Sequence, residues 1–330
     1  MNRCKRFSTH VFWLMLCFSA SLQAKWLSEE HAIMGTQVSA SVWHNDSALA
    51  QRAIDAVVTD MRRIDRTYSA YDERSELSQL NQKAALTPQK ISAEMHRLLV
   101  ASKRISELTE GAFDITYASV GHLYDYRQKK QPTDEQIKAH QAAIDYRWIA
   151  LTDDTVFFKH PNVKIDLGGI AKGYAVDRAI DILQQHGITH ASVSAGGDSR
   201  LLGDRLGRPW VVGIKNPRQD ERSSKDDIAL RIPLSDAAVS TSGDYERYFI
   251  DELNQERVHH IVNPRSGKSA KGVVSVTVIG ATGIETDPLS TGIFVLGVEK
   301  GLALIDELDT IDVIIIDRFG KVHYSSGLAP

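Results

Sequence analysis

From His190 onward, strand-like runs follow one another at His190–Ser194, Trp210–Ile214, Ile228–Ile232, Arg257–Val262, Val273–Ile279 and Ile311–Ile316, with helices expected only at Pro288–Leu296 and Lys300–Leu308. A parallel sheet needs a crossover helix between paired strands, so the lack of strict alternation favours a substantially antiparallel sheet. The fold class expected is α+β, with a largely antiparallel sheet flanked by helices. In the first half, Val38, Ala40 and Val42 alternate with polar neighbours over Gln37–Val42, the period of a half-buried strand. Ala50, Ile54, Val57, Met61 and Ile64 recur at helical spacing behind a cap at Asp46 or Ser47. A polar loop is expected from Thr67 to Asn81, and Ser92 opens a second helix with Met95, Leu98, Leu99, Ser102 and Ile105 on one face. Residues 127–135 read as a solvated excursion, which leaves residues 25–330 as one domain.

The first 24 residues stand outside this pattern. Arg3, Lys5 and Arg6 precede an apolar stretch from Val11 to Phe18, and small residues lead to Ala24. This is the order of a signal peptide, too short to span a bilayer, with cleavage expected after Ala24 and a periplasmic product. The chain has 39 basic and 42 acidic residues; removing those three bases leaves 36 against 42, a formal charge of −6. Nothing in that balance suggests nucleic acid or an anionic membrane surface as partner. No later segment is apolar enough to span a membrane. Both cysteines, Cys4 and Cys17, fall within the signal, so disulfides, thiolate metal sites and cysteine nucleophiles are excluded from the mature chain. Leu16 stands where a lipoprotein signal requires a small residue, which argues against lipidation at Cys17.

The most informative segment runs from Lys164 through Asp166, Gly168, Gly169 and Lys172 to Asp177. An apolar strand ends in an acid, two glycines allow a tight turn, and a helix begins with a lysine in its first turn. Free amides and a cation there suit a pyrophosphate. The glycine spacing fits neither a Walker A nor a Rossmann loop, and a plain strand–turn–helix joint with a solvated lysine explains the segment equally well. A second glycine turn, Gly196-Gly197, permits close approach of a ligand with Asp198 and Arg200 as polar contacts, although many hairpins look alike.

Asp287 before Pro288 reads as an N-cap with proline at the first helical position. Thr291, four residues on, faces the same side, so carboxylate and hydroxyl together also suit a hard cation completed by phosphate oxygens and water. His260, late in a strand, has the chemistry of a general base, though most strand histidines are structural. Met34 and Tyr71 offer surface for a planar ring, or serve as ordinary core and loop residues.

Together and in this order, these pieces resemble the ApbE family of FAD:protein FMN transferases. The resemblance runs through Met34-Gly-Thr36, Tyr68-Ser-Ala-Tyr71, Ser75–Asn81, Gly111–Thr116, Asp166–Gly173, Ala195–Asp198, Val239–Arg247, His260–Gly267 and Asp287–Thr291, nearly the whole mature chain. It implies an ApbE-like catalytic domain over residues 25–330 that binds FAD with Mg²⁺ and cleaves its pyrophosphate. FMN would then be linked through a phosphoester to a Thr or Ser of an acceptor, typically a flavoprotein subunit of a membrane redox complex. Carried over residue by residue, Met34, Tyr71, Ala112, Phe113, Asp114, Asp166, Lys172 and Ile261 contact FAD. Asp287, Thr291, the carbonyl of Gly169 and Ser290 hold the metal, and His260 is the base on the acceptor hydroxyl.

Three departures stand out. Asn263 replaces a frequent Asp, Thr286 and Pro288 replace small residues, and Tyr117, Ala118, Ser119 and Tyr124 depart from the family's usual glycine-, proline- and tryptophan-containing run. The rival readings are a periplasmic FAD pyrophosphatase releasing FMN and AMP, and a flavin-binding protein without catalysis. Phosphoryl transfer needs charge neutralisation and positioning rather than a nucleophile from the enzyme, in keeping with a chain without thiols.

Overall fold

The structure, a computed structural model, describes residues 25–218 and 227–328. The expected signal at residues 1–24, with both cysteines, lies outside the described residues. The main sheet has eight strands: β1 (Lys25–Ile33), β2 (Thr36–His44), β3 (His190–Ala195), β4 (Asp198–Leu202), β5 (Ala238–Gly243), β6 (Val273–Gly280), β7 (Asp312–Asp317) and β8 (Val322–Tyr324). Their order across the sheet is their order along the chain, and every neighbouring pair is antiparallel. The sheet is thus a meander into which helices and small hairpins are inserted, in agreement with the α+β expectation. β6 is buried along seven of its eight residues, the polar Ser275 and Thr277 included, so both faces of this strand are covered.

Three helices lie in a row across the sheet. α1 (Ser47–Tyr68) packs on β1 and β2, α4 (Ala171–Gln185) on β3 and β4, and α5 (Gly283–Leu296) on β5 and β6. α1 buries Ala50, Ile54, Val57, Met61 and Ile64, the stripe expected from the sequence, and Asp46 caps it by accepting the Ala48 and Leu49 amides at 2.8 and 3.1 Å. α2 (Glu76–Lys83), capped by Ser75, occupies part of what the sequence suggested was loop. α3 (Ala93–Leu108), capped by Ser92 as expected, packs outside α5, and α6 (Val298–Asp306) covers β7. Among the described residues no helix is long and apolar enough to cross a membrane.

Two expected boundaries move. The strand expected at Lys164–Leu167 is extended chain outside any sheet. Its backbone is held by the side chain of Asn81, which donates to the Ile165 carbonyl at 2.9 Å and accepts the Ile165 amide at 2.8 Å, mimicking a neighbouring strand. α5 begins at Gly283, so Asp287 and Pro288 lie inside the helix, not at an N-cap and first position. Pro288 lacks the N–H that would bond the Ile284 carbonyl, a cost the helix bears in its second turn.

Candidate active site

The turn Asp166–Ile170 delivers the chain into α4. Asp166 accepts the Gly168 amide at 2.6 Å, closing the bend, and burial raises its carboxyl pKa against the opposing pull of that amide and of Arg247. Gly169 faces α5, since a Cβ built on it would sit 3.6 Å from the Thr291 hydroxyl and 3.3 Å from the Phe113 ring. Lys172, in the first turn of α4, pairs with Asp198 on β4 and lies 3.7 Å from Asp287 on α5. Burial opposes the lysine charge, but the two carboxylates outweigh it and raise its pKa. Asp198 is 2 % exposed and tied to Lys172, so it braces the lysine from within instead of reaching a ligand from a loop. Gly196 and Gly197 likewise make room for the protein's own Thr36 hydroxyl and Thr241 backbone, with Cβ positions 2.8 and 2.5 Å from them.

Asp287 is 3 % exposed and accepts the Gly173 amide at 2.9 Å. Burial and the neighbouring Asp198 raise its pKa, while Lys172 and the Gly173 amide oppose that rise. A buried carboxylate in this state gains from an added cation. One turn on, Ser290 donates to the Asp287 carbonyl at 2.8 Å. Its single proton being used, Ser242 on β5 must donate to Ser290 at 2.8 Å, and Thr291 to Ser242 at 3.2 Å. That order of protons leaves lone pairs of Thr291 available to a cation beside Asp287 and the Gly169 turn. The donor set fits a hard cation such as Mg²⁺, which binds oxygen and keeps several ligands from water or phosphate. Among the described residues no three His, Cys, Asp or Glu side chains gather as a metal cluster, so the fit rests on one carboxylate with hydroxyls. Ser242 was not singled out by sequence reasoning; it lies in the Val239–Arg247 block, but only strand pairing brings it to α5.

Met34 and Gly35 form the two-residue turn between β1 and β2, both with positive φ (56° and 68°), as a type I′ hairpin requires. Methionine is an uncommon choice there, and such backbone strain gathers at functional positions. The Arg247 guanidinium reaches this turn, 3.4 Å from where a Gly35 Cβ would stand, and the Arg247 carbonyl accepts the His260 amide at 3.1 Å. His260 occupies a break between the short strands Arg257–His259 and Val262–Asn263, not a continuous strand. Its Nδ1 is buried without a partner, and desolvation, followed by the charge of Arg247, depresses its pKa to about 3. Lys172 contributes to the same depression, which puts His260, Arg247 and Lys172 within one electrostatic neighbourhood.

The remaining candidates differ in position. Ala112, Phe113 and Asp114 are buried, and Phe113 packs between Gly169 and Gly292. Asp114 accepts the Thr116 amide and hydroxyl at 2.8 and 2.6 Å and the Tyr146 amide at 2.8 Å, while burial raises its pKa to about 6. Both its oxygens are therefore engaged in shaping the loop. Ile261 is buried in the core, next to His260. Tyr71 is 91 % exposed on the loop before α2, its amide bonded to the Ser69 hydroxyl at 3.1 Å.

The ApbE family profile matches residues 34–315. A FAD:protein FMN transferase of Vibrio cholerae is 34% identical over 294 residues, covering 86% of this chain and 85% of the relative. The FAD:protein FMN transferase of Escherichia coli K12 is 30% identical over 84% of this chain and 80% of its own length. Among solved structures, the ApbE protein of Thermotoga maritima superposes with a TM-score of 0.84 at 34% identity, covering 92% of this chain and 98% of its own. The flavin transferase ApbE of Vibrio cholerae superposes at 0.79 with 31% identity and the same coverage. With a match this long and a fold this similar, the chain belongs to the ApbE family.

Proposed function

We propose that this protein is a FAD:protein FMN transferase that moves the FMN half of FAD onto a Thr or Ser hydroxyl of an acceptor protein and releases AMP. The observation that carries the reading is the convergence of Lys172, Asp287 and Thr291 on the Gly168-Gly169 turn, joined to the activity of the relatives. Mg²⁺ held by Asp287, Thr291 and the Gly169 carbonyl, with Ser290 beside them, would supply charge neutralisation at the pyrophosphate. Lys172 adds a second positive charge, and the elements that hold it, β4 and α4, keep that charge in place without reorganisation. Phe113 offers apolar surface at Gly169 and Met34 offers it at the β1–β2 turn, Ala112–Asp114 shapes the loop behind Gly169, and Tyr71 is an exposed aromatic face for a ring.

In the transfer step the acceptor oxygen attacks the FMN-side phosphorus, the P–O bond to the AMP phosphate breaks, and the hydroxyl proton passes to His260. The free histidine is neutral and so ready to accept a proton; anionic phosphates bound nearby offset Arg247 and Lys172 and make it more basic. The order of residues in the first 24 positions supports a periplasmic enzyme, and flavoprotein subunits of membrane redox complexes are its proposed acceptors.

The test is incubation with FAD, Mg²⁺ and a candidate acceptor, followed by mass spectrometry of the acceptor. An FMN adduct that disappears with EDTA and with Asp287→Asn, which keeps an acceptor for Gly173 but removes the charge, is the expected result. AMP release with no adduct would assign the hydrolase instead. FAD retention indifferent to EDTA and to that substitution would assign a binding protein.

A further inference from the structure

α5 is not capped by its own sequence. Thr282, at its N-cap, makes no side-chain capping bond. Its first two amides, Gly283 and Ile284, donate to the two carboxylate oxygens of Asp177 on α4, at 2.7 and 2.8 Å. α5 returns the contact, since Asp287 accepts the Gly173 amide of α4 at 2.9 Å. The helices cross where these bonds meet, and neither tolerates a side chain there. A Cβ on Gly173 would fall 2.0 Å from the Gly283 oxygen, and one on Gly283 would fall 2.3 Å from the Gly173 oxygen. β4 braces the crossing with two charges two residues apart: Asp198 holds Lys172, and Arg200 lies 3.4 Å from Asp177. Asp177 is itself largely enclosed, and a buried carboxylate that accepts two amides and faces a guanidinium is held in one place.

Residues on α5 advance about 100° each, so a slight rotation or slide of its first turn turns Asp287 and Thr291 away from Gly169. We propose that Asp177, braced by Arg200, is the positioning residue that sets α5 and so aims Asp287 and Thr291 at the Gly168-Gly169 turn. This rests on the metal reading above. It extends that reading to a residue that touches neither the cation nor FAD.

The experiment uses Mn²⁺ as the probe, with binding followed by EPR on the full chain and on Asp177→Asn, Asp177→Ala and Asp46→Ala. The last removes an equivalent cap from α1, remote from the site, and so controls for simple loss of stability. The expected result is about tenfold weaker Mn²⁺ binding in Asp177→Ala, a smaller loss in Asp177→Asn, whose one carbonyl oxygen still accepts one amide, and no change in Asp46→Ala. Hydrogen exchange also quickens at the Gly283 and Ile284 amides in the Asp177 variants. Unchanged Mn²⁺ affinity in both Asp177 variants overturns the proposal, as does equal weakening in Asp46→Ala. If Asp177→Ala does not fold, Asp177→Asn alone decides in the same way. No Mn²⁺ binding by the unaltered protein removes the metal reading, and this proposal with it.

Discussion

Replacing Gly173 by alanine sets two rules against each other. Glycine within a helix costs about 0.5–1 kcal/mol relative to alanine, so helix propensity alone predicts stabilisation. The fold predicts the reverse. The new methyl would lie 2.0 Å from the Gly283 oxygen and 2.7 Å from Asp287 Cβ, where a close carbon–oxygen approach needs about 3.3 Å. Both obstacles are fixed to α5, so α4 and α5 must part by roughly 1 Å, at an overpacking cost of about 1–3 kcal/mol. Parting also stretches the Gly173–Asp287 hydrogen bond, and a buried acceptor left short of a partner costs about another 1–3 kcal/mol. The net change is about 3 kcal/mol of destabilisation, a fall in Tm of about 5 °C for a protein of this size. Thermal unfolding by circular dichroism, with a calorimetric check of two-state behaviour, measures it. Gly283→Ala should act similarly, and the double variant should cost less than the sum because the helices are already apart. A rise in Tm of a few degrees for Gly173→Ala would show that the helices do not meet as described.

Three further outcomes follow from the same geometry. Asn81→Ala removes both bonds to Ile165 and should cost about 2–3 kcal/mol, with a raised KM for FAD because the Asp166–Gly169 turn loses its anchor; urea unfolding and FAD titration check this. Lys172→Met leaves Asp198 and Asp287 as unpaired buried acids and should cost about 3–5 kcal/mol, part of it regained with Mg²⁺; denaturant melts with and without the ion measure the difference. The folded pKa of His260, about 3, lies below its unfolded value of about 6.5, so the folded state binds fewer protons in that window. Stability from this group is therefore present above pH 6.5 and lost as pH falls toward 3, and His260→Gln should flatten the slope of the urea midpoint between pH 7 and pH 5. An unaltered slope would place the pH sensitivity elsewhere.

Much of the scaffold was legible because it depends on local pattern. The stripe from Ala50 to Ile64 and the caps at Asp46 and Ser92 announce α1 and α3, and alternation at Val38–Val42 announces β2. Two of the errors share one cause, a local signal replaced by a distant partner. Asp287-Pro288 carries the signature of a helix start, yet the start lies at Gly283 because Asp177 supplies the cap from another helix. The run Lys164–Leu167 has strand character but finds its hydrogen bonds in the side chain of Asn81. At the site, i and i+4 spacing already put Asp287 and Thr291 on one helix face, whereas their nearness to Gly169 and Lys172 was implied only by family resemblance. The buried pairing of Asp198 and the hydroxyl chain through Ser242 depend on β4 and β5 meeting α4 and α5, which no local pattern encodes.

The meander also sets a timetable for synthesis. β1 and β2 leave the ribosome as a hairpin, but the strand that pairs with β2 is not made until residues 190–195, after α1 to α4. Until then the outer edge of β2 presents unpaired backbone to any other extended segment nearby, and closing so long a span is slow. α1 follows directly and shields one face of the hairpin, though not its edge. A nascent chain stalled before Ala195 would therefore carry an open strand edge, and nascent chains of that length are where holding chaperones should bind and where aggregation should begin.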